Sequence, residues 1–356
     1  MEEAFEHTNS KRHGGKFQRR RKKRTSKFRR KKLPLINKIT PIPKLVRNHQ
    51  LFSNKKTKTL PKLTKTLPSI FSFKENRENV LEFLNDTFDD YKQYKVKDFI
   101  FNMQDITAID ITSICLFLSL LNKLSANGVD SRGNYPIDES SRNVMIESGF
   151  ANIMKSSIKR LKTKTYDNQL YVIGQDRLDN KKIGESVKKA VGYLTGEENH
   201  FQPIYTMLIE ICSNSVEHAN KREKDKNWII SVSYEENKVN FLVVDTGEGI
   251  LKTIHKKLPE LFLDTFFRKD GKVLEDVLNK EYQSRTKELN RHKGLPKLKE
   301  NFDNGYVSDM KILTNNVLYD MESKSYEGTI NEYCGVLYSW SFTKNNYNKW
   351  KKNECI

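Results

Sequence analysis

The chain has 356 residues with 64 Lys+Arg against 45 Asp+Glu, 36% hydrophobic and 31% charged, enough for one large or two ordinary folded domains. Its longest apolar run, Ile114 to Leu121, falls well short of the roughly 18 residues that a bilayer span needs, and no signal peptide is read at the start, so the protein is expected in the cytoplasm with no membrane partner. Cys115, Cys212, Cys334 and Cys355 form no CxxC pair, which excludes a disulfide framework and a zinc knuckle.

The net charge of +19 is concentrated at one end. Residues 1–74 hold 23 Lys+Arg and 3 acids, and no acid falls between Glu6 and Glu75. Lys11 to Lys32 packs 14 bases into 22 positions. Such a stretch repels itself and has little apolar surface to bury, so residues 1–74 are expected to be a disordered basic arm, with 58–63 as linker. Pro34, Pro41, Pro43, Pro61 and Pro68 interrupt any helix there. Residues 11–32 are a candidate nucleic-acid partner site acting by counterion release, and a merely solubilising extension is the other reading.

Order is expected from about Ser72. Val80, Leu81, Phe83, Leu84 and Phe88 have helical spacing up to about Tyr94, and a buried strand follows from Asp98 to Met103. Asp110 stands where a helix N-cap is wanted, ahead of an apolar helix that Gly128 closes; a short strand and a helix over about Ser140 to Glu147 come next. This stretch resembles the STAS-type domain of anti-sigma-factor antagonists, in which a strand leads through an Asp-Ser-Ser-Gly-like turn into a helix. Here the turn reads Asp110-Ile111-Thr112-Ser113, so the resemblance makes Thr112 the hydroxyl that would be phosphorylated; Asp110 as a plain N-cap is the other reading.

From Ile204 to Asn220 the chain reads as one amphipathic helix with Ile204, Leu208, Ile211, Ser215 and Ala219 on one face. Glu210 and Asn214 stack on the polar side, with Glu217 and His218 a turn further on. Two strands, Trp228 to Tyr234 and Val239 to Val244, lead into Asp245-Thr-Gly-Glu-Gly-Ile. A carboxylate at the end of a buried strand, flanked by Gly247 and Gly249, can accept from an exocyclic amine while the backbone approaches a flat ring. An aspartic protease also ends a strand in Asp-Thr-Gly, but its carboxylates work in pairs and only one such motif is present.

The ordered pair resembles the GHKL ATPase superfamily: EICSNSVEHA over 210–219 matches its asparagine box, and DTGEGI over 245–250 its first glycine box. SRTKELNRHKGLPKLKE over 284–300 is similar to the second glycine box, with Gly294 opening a helix whose free N–H groups would face a phosphate beside Arg291, Lys293 and Lys297; His292 stands where the family has another glycine. Glu327-Gly328-Thr329 matches the closing Gly-Thr box, and residues 251–289 would be a lid. The resemblance implies that Glu210 is catalytic, that Asn214 holds Mg2+, that Asp245 binds adenine, and that Gly247, Gly249, Lys293, Gly294, Gly328 and Thr329 line the ATP site.

The expected architecture is α/β: the basic arm over 1–74, a small STAS-like α/β domain over 75–165, a two-layer GHKL α/β sandwich over 166–345, and a tail over 346–356. The expected function is an ATP-binding, ATP-hydrolysing regulator whose nucleotide state controls contacts with a protein partner through the STAS-like domain. The alternative is a serine/threonine kinase of the anti-sigma type acting on a STAS-like domain.

Overall fold

The computed structural model describes residues 61–150, 169–174, 179–218, 228–257, 270–279 and 294–354. All of these belong to one compact unit within Ile36–Ile356. The protein is mixed α/β, and among the described residues no helix is long and apolar enough to cross a membrane.

The first half is built on a parallel sheet of β1 (Lys62–Thr66), β3 (Asp98–Asn102) and β5 (Asp130–Gly133), in the order β1-β3-β5. A two-stranded parallel pair joins β2 (Ile70–Phe71) to β4 (Ala108–Ile109). The helices are α1 (Phe73–Tyr94), α2 (Ile111–Ala126) and α3 (Glu139–Glu147). Regular structure therefore begins earlier than the charge suggested. Residues 62–71, expected as linker and arm, form β1 and β2, because Leu67 and Phe71 are buried while Lys62 and Lys65 reach outward to Asp98 and Asp90. The rest of the expected arm, 1–60, lies outside the described residues, as do 151–165 of the expected first domain.

Asp110 caps α2 by accepting from the Ser113 N–H at 2.7 Å. Its other oxygen accepts from the Ser72 hydroxyl at 2.8 Å and the Lys74 N–H at 2.9 Å, so one carboxylate serves the first turns of two helices. Thr112 is half-buried in the first turn of α2.

The second half is a five-stranded antiparallel sheet in the order β6-β7-β8-β10-β9, made of β6 (Gln169–Gly174), β7 (Trp228–Glu235), β8 (Lys238–Asp245), β9 (Ser308–Asp320) and β10 (Ser325–Thr343). Its helices are α4 (Asn180–Thr195), α5 (Gln202–His218), α6 (Ile250–Lys257), α7 (Asp270–Leu278), α8 (Gly294–Asp303) and α9 (Lys344–Glu354). The expected tail from 346 is thus most of a helix. Tyr347 and Trp350 of α9 pack on the Phe201 ring, an apolar anchor that a Lys- and Asn-rich stretch conceals.

Both faces of this sheet are covered. Val239, Phe241, Val243, Val336, Tyr338, Trp340 and Phe342 point to the core shared with α4, α5 and α8. The alternate residues Ile229, Leu242, Val244, Leu313 and Leu337 point the other way, into one core with Phe71, Phe83, Phe99, Phe101 and the whole of α2. Helix α2 is buried nearly all round, from Ile114 through Leu121, because it lies between two layers. Phe117 sits edge-on to Phe101 at 5.0 Å and Phe71 at 6.0 Å, and stacks with Phe150 at 6.1 Å. The expected boundary near 165 is consequently not a break between separate cores, since 75–150 and the sheet share one.

Candidate functional site

Strand β8 ends at Asp245, which lies opposite Trp228 on one side and Val336 on the other. Cross-strand partners share a face, and Trp228 and Val336 both belong to the core under α5, so the Asp245 side chain is directed to the same helix. Oδ1 accepts from the Gly247 N–H at 2.9 Å and the Val336 N–H at 3.0 Å; Oδ2 accepts from the Ser215 hydroxyl at 3.1 Å. Burial raises the carboxyl above its ordinary value, and those three donors pull in the opposite direction. The surroundings are buried. The Cys212 thiol and the Tyr338 phenol are both pushed far up, by burial first and by the charge of Asp245 second.

The turn after Asp245 is fixed from β9. Gly249 has φ +88, and a β-carbon there would lie 2.4 Å from Asn315 Oδ1, so both conformation and space demand glycine. Asn315 itself takes φ +53; its amide donates to the Glu248 carbonyl at 2.9 Å and to Glu332 at 2.8 Å, while its oxygen accepts from the Lys252 N–H at 3.3 Å. The Thr314 hydroxyl accepts from the Ile250 N–H at 2.8 Å. The first turn of α6 is therefore capped by a neighbouring strand rather than by its own sequence.

On α5, Ile204, Leu208, Ile211 and Ser215 are buried as their periodicity requires, and Glu210 and Asn214 are half-buried. The first residue of α8 meets both. A β-carbon on Gly294 would lie 2.9 Å from Asn214 Nδ2 and 3.2 Å from Glu210 Oε2, so the backbone that opens α8 approaches the polar face of α5 directly. Ser215, the next residue after Asn214, touches Asp245. Glu210, Asn214, Asp245, Gly247, Gly249 and Gly294 thus converge at one end of the sheet, across α5, β8 and α8.

The other expected site residues are described only in part. Lys293, His292 and Arg291 lie outside the described residues, as do Ala219 and Asn220 of the α5 segment. Lys297 is turned along α8 to Glu300, at 3.2 Å. Gly328 pairs with Val317 on the arm of the β9–β10 hairpin and Val336 pairs with Thr314, three residues along β9 and so roughly 10 Å away by the usual rise per residue; Thr329, which is buried, opens the irregular segment between them. That arm is held by α1: Arg77 pairs with Glu327, and Glu78 Oε2 accepts from the Ile330 and Asn331 N–H groups. The residues of β10 that touch Asp245 are Tyr333, Gly335 and Val336. A β-carbon on Gly335 would lie 2.1 Å from the Asp245 carbonyl oxygen. A glycine opening the apolar run Val336-Leu-Tyr-Ser-Trp was the signal available for the last two, and a serine in an otherwise apolar helical stripe was the signal for Ser215.

The described parts of the expected lid belong to the core. Leu251 of α6 and Val273, Leu274 and Leu278 of α7 are buried with the sheet, and Asp270 accepts from Asn316 at 2.9 Å. Among the described residues no three His, Cys, Asp or Glu side chains gather as a metal-binding group. A shallow groove beside Gly305 and Lys349 lies at the start of β9, at the end of the sheet away from Asp245. No protein-family model and no curated protein matches the chain.

Proposed function

We propose that the chain binds ATP with Mg2+ at this end of the sheet and hydrolyses it, as a regulator of the GHKL type whose two-layer sandwich carries a STAS-like unit on its second face. The observation that supports this most is the approach of Gly294 to Glu210 and Asn214 beside the Asp245 cradle. Three segments far apart in sequence then supply a buried acceptor, a pair of polar side chains and a helix N-terminus at one place. Asp245 Oδ2, which among the described residues accepts one hydrogen bond, from Ser215, has a further lone pair for an exocyclic amine. The N–H groups that open α8 offer donors to phosphate oxygens. Asn214 would hold Mg2+ together with phosphate oxygens and water, and the ion would neutralise phosphate charge when bound. Glu210, on the same face one turn earlier, would accept the proton of the attacking water.

Transfer within the chain to Thr112 has less support than hydrolysis. Helix α2 lies against one face of the sheet and α5 against the other, so a phosphate held at Glu210 and Asn214 is separated from Thr112 by β7 and β8. Calorimetric titration with ATP and Mg2+, followed by a phosphate-release assay, tests the reading: binding with slow release is expected, and absence of binding rejects it.

A further inference from the structure

Asp245 is held from two sides, and the second side belongs to the first half of the chain. In a regular antiparallel ladder an amide gives its proton to a backbone carbonyl. At the end of β8 side-chain groups join this ladder. The Val336 N–H donates to the Asp245 carboxylate at 3.0 Å, and the Asp245 carbonyl accepts from the Tyr333 hydroxyl at 2.8 Å. The register of β10 is irregular between Tyr333 and Val336, and Gly335 allows the irregular segment to close onto Asp245. Tyr333 is buried on the opposite face of the sheet from Asp245's side chain, in the core with α2, where Ser119 lies close enough to pull the phenol's value down against the effect of burial. Ser119 is itself 3% exposed, so this end of the phenol is shielded from bulk water.

We propose that Tyr333, packed in the core with Ser119 of α2, is a positioning residue for Asp245: its hydroxyl holds the Asp245 carbonyl while the Val336 N–H orients the carboxylate, which makes the first half of the chain part of the base-recognition machinery. The proposal rests on the reading of Asp245 as the acceptor for the base amine. If that hydroxyl is removed, the Asp245 carbonyl has the Val336 N–H as its nearest replacement, and the carboxylate loses a donor and its fixed direction. Burial keeps the phenol well above its ordinary value, with the Asp245 charge adding to it, so it remains a donor throughout the working range of pH.

The test compares ATP with purine riboside triphosphate, which lacks the exocyclic amine, by calorimetry on the full chain with Mg2+. Wild type is expected to prefer ATP. Tyr333→Phe should weaken ATP about tenfold, about 1.4 kcal/mol, and leave the purine analogue unchanged, while Ser119→Ala shifts the ratio in the same direction by a smaller factor. KM for ATP should rise with Tyr333→Phe at unaltered kcat. General destabilisation would weaken both nucleotides together, and that outcome, or an unchanged ratio in a wild type that shows the preference, overturns the positioning role. Should Tyr333→Phe not fold, Ser119→Ala decides by the same ratio. If wild type binds neither nucleotide, or both alike, the base-binding reading falls and this proposal with it. If Asp245→Ala loses the preference and Tyr333→Phe keeps it, only the positioning role falls.

Discussion

Gly294 and Asn214 meet across α8 and α5 with room for a hydrogen but not for a methyl group, since a β-carbon on Gly294 would stand 2.9 Å from the Asn214 amide nitrogen. The obstructing atoms are side-chain atoms of Asn214 and Glu210, so the helices need not separate to accept one. Gly294→Ala should therefore fold with a melting temperature within a few degrees of wild type, but displace the two side chains and weaken ATP·Mg2+ binding tenfold or more. Calorimetry on the folded variant checks this, and unchanged affinity would show that α8 does not face the ligand.

Asp245 should make stability and binding respond to pH in opposite directions. Its folded value is raised, so its contribution to stability is fully present below the ordinary value of 3.8 and is lost as pH climbs through the raised one. Amine recognition needs the ionised form, so ATP affinity should fall on acidification already above the usual carboxylate range. Cys212, Tyr333 and Tyr338, held neutral by burial, do not titrate in that window. Asp245→Asn should keep or raise the melting temperature at neutral pH, lose ATP affinity at least tenfold, and remove the acid dependence. A melt and a binding titration at a series of pH values measure both.

Much of this arrangement was legible in the sequence because it depends on periodicity and local turn chemistry. The inner face of α5, the strand ending at Asp245 and the helix opened by Gly294 all follow from spacing. What was not legible comes from partners distant along the chain. Asn315 caps α6 from β9, Tyr333 reaches Asp245 from the far side of the sheet, and the Val336 N–H reaches its carboxylate beside a register irregularity. Lys62 and Lys65 read as an extension of the basic arm because charge was weighed there before the alternation of Leu63 and Leu67. The apolar surface all round α2 signalled burial, but not that the second layer would be the five-stranded sheet.

The position of β1 changes how the arm should be tested. A chain lacking residues 1–60 retains β1, β2, Leu67, Phe71 and the Ser72 cap, so it should melt as wild type does and lose salt-sensitive, sequence-independent nucleic-acid binding. A chain lacking 1–74 also loses a parallel strand and a ring packed at 5.7 Å on Phe83. It should melt several degrees lower or fail to fold, with a loss of several kcal/mol in line with removing large core side chains. If the shorter deletion binds nucleic acid as wild type does, the basic segment is not the binding element.

The two polar residues of α5 should separate affinity from turnover. Asn214 is expected to contribute to the ground-state complex, so Asn214→Ala should weaken Mg2+-dependent ATP binding by removing a ligand of the ion. Glu210 is expected to act when the nucleophile loses its proton, and Glu210→Ala should lower turnover roughly a hundredfold while leaving affinity nearly unchanged. Both side chains are half-buried on the helix face away from Ile204, Leu208 and Ile211, so neither truncation opens a cavity in the core, and circular dichroism melts should coincide with wild type. Gly294 adds a constraint, because its close approach to both side chains means that either truncation leaves space at the start of α8. Glu210→Gln, which keeps the volume and removes the charge, distinguishes the two effects. Turnover lost equally in Glu210→Gln and Glu210→Ala, at saturating ATP, assigns the role to the carboxylate, whereas full activity in Glu210→Gln would leave it a packing role against α8.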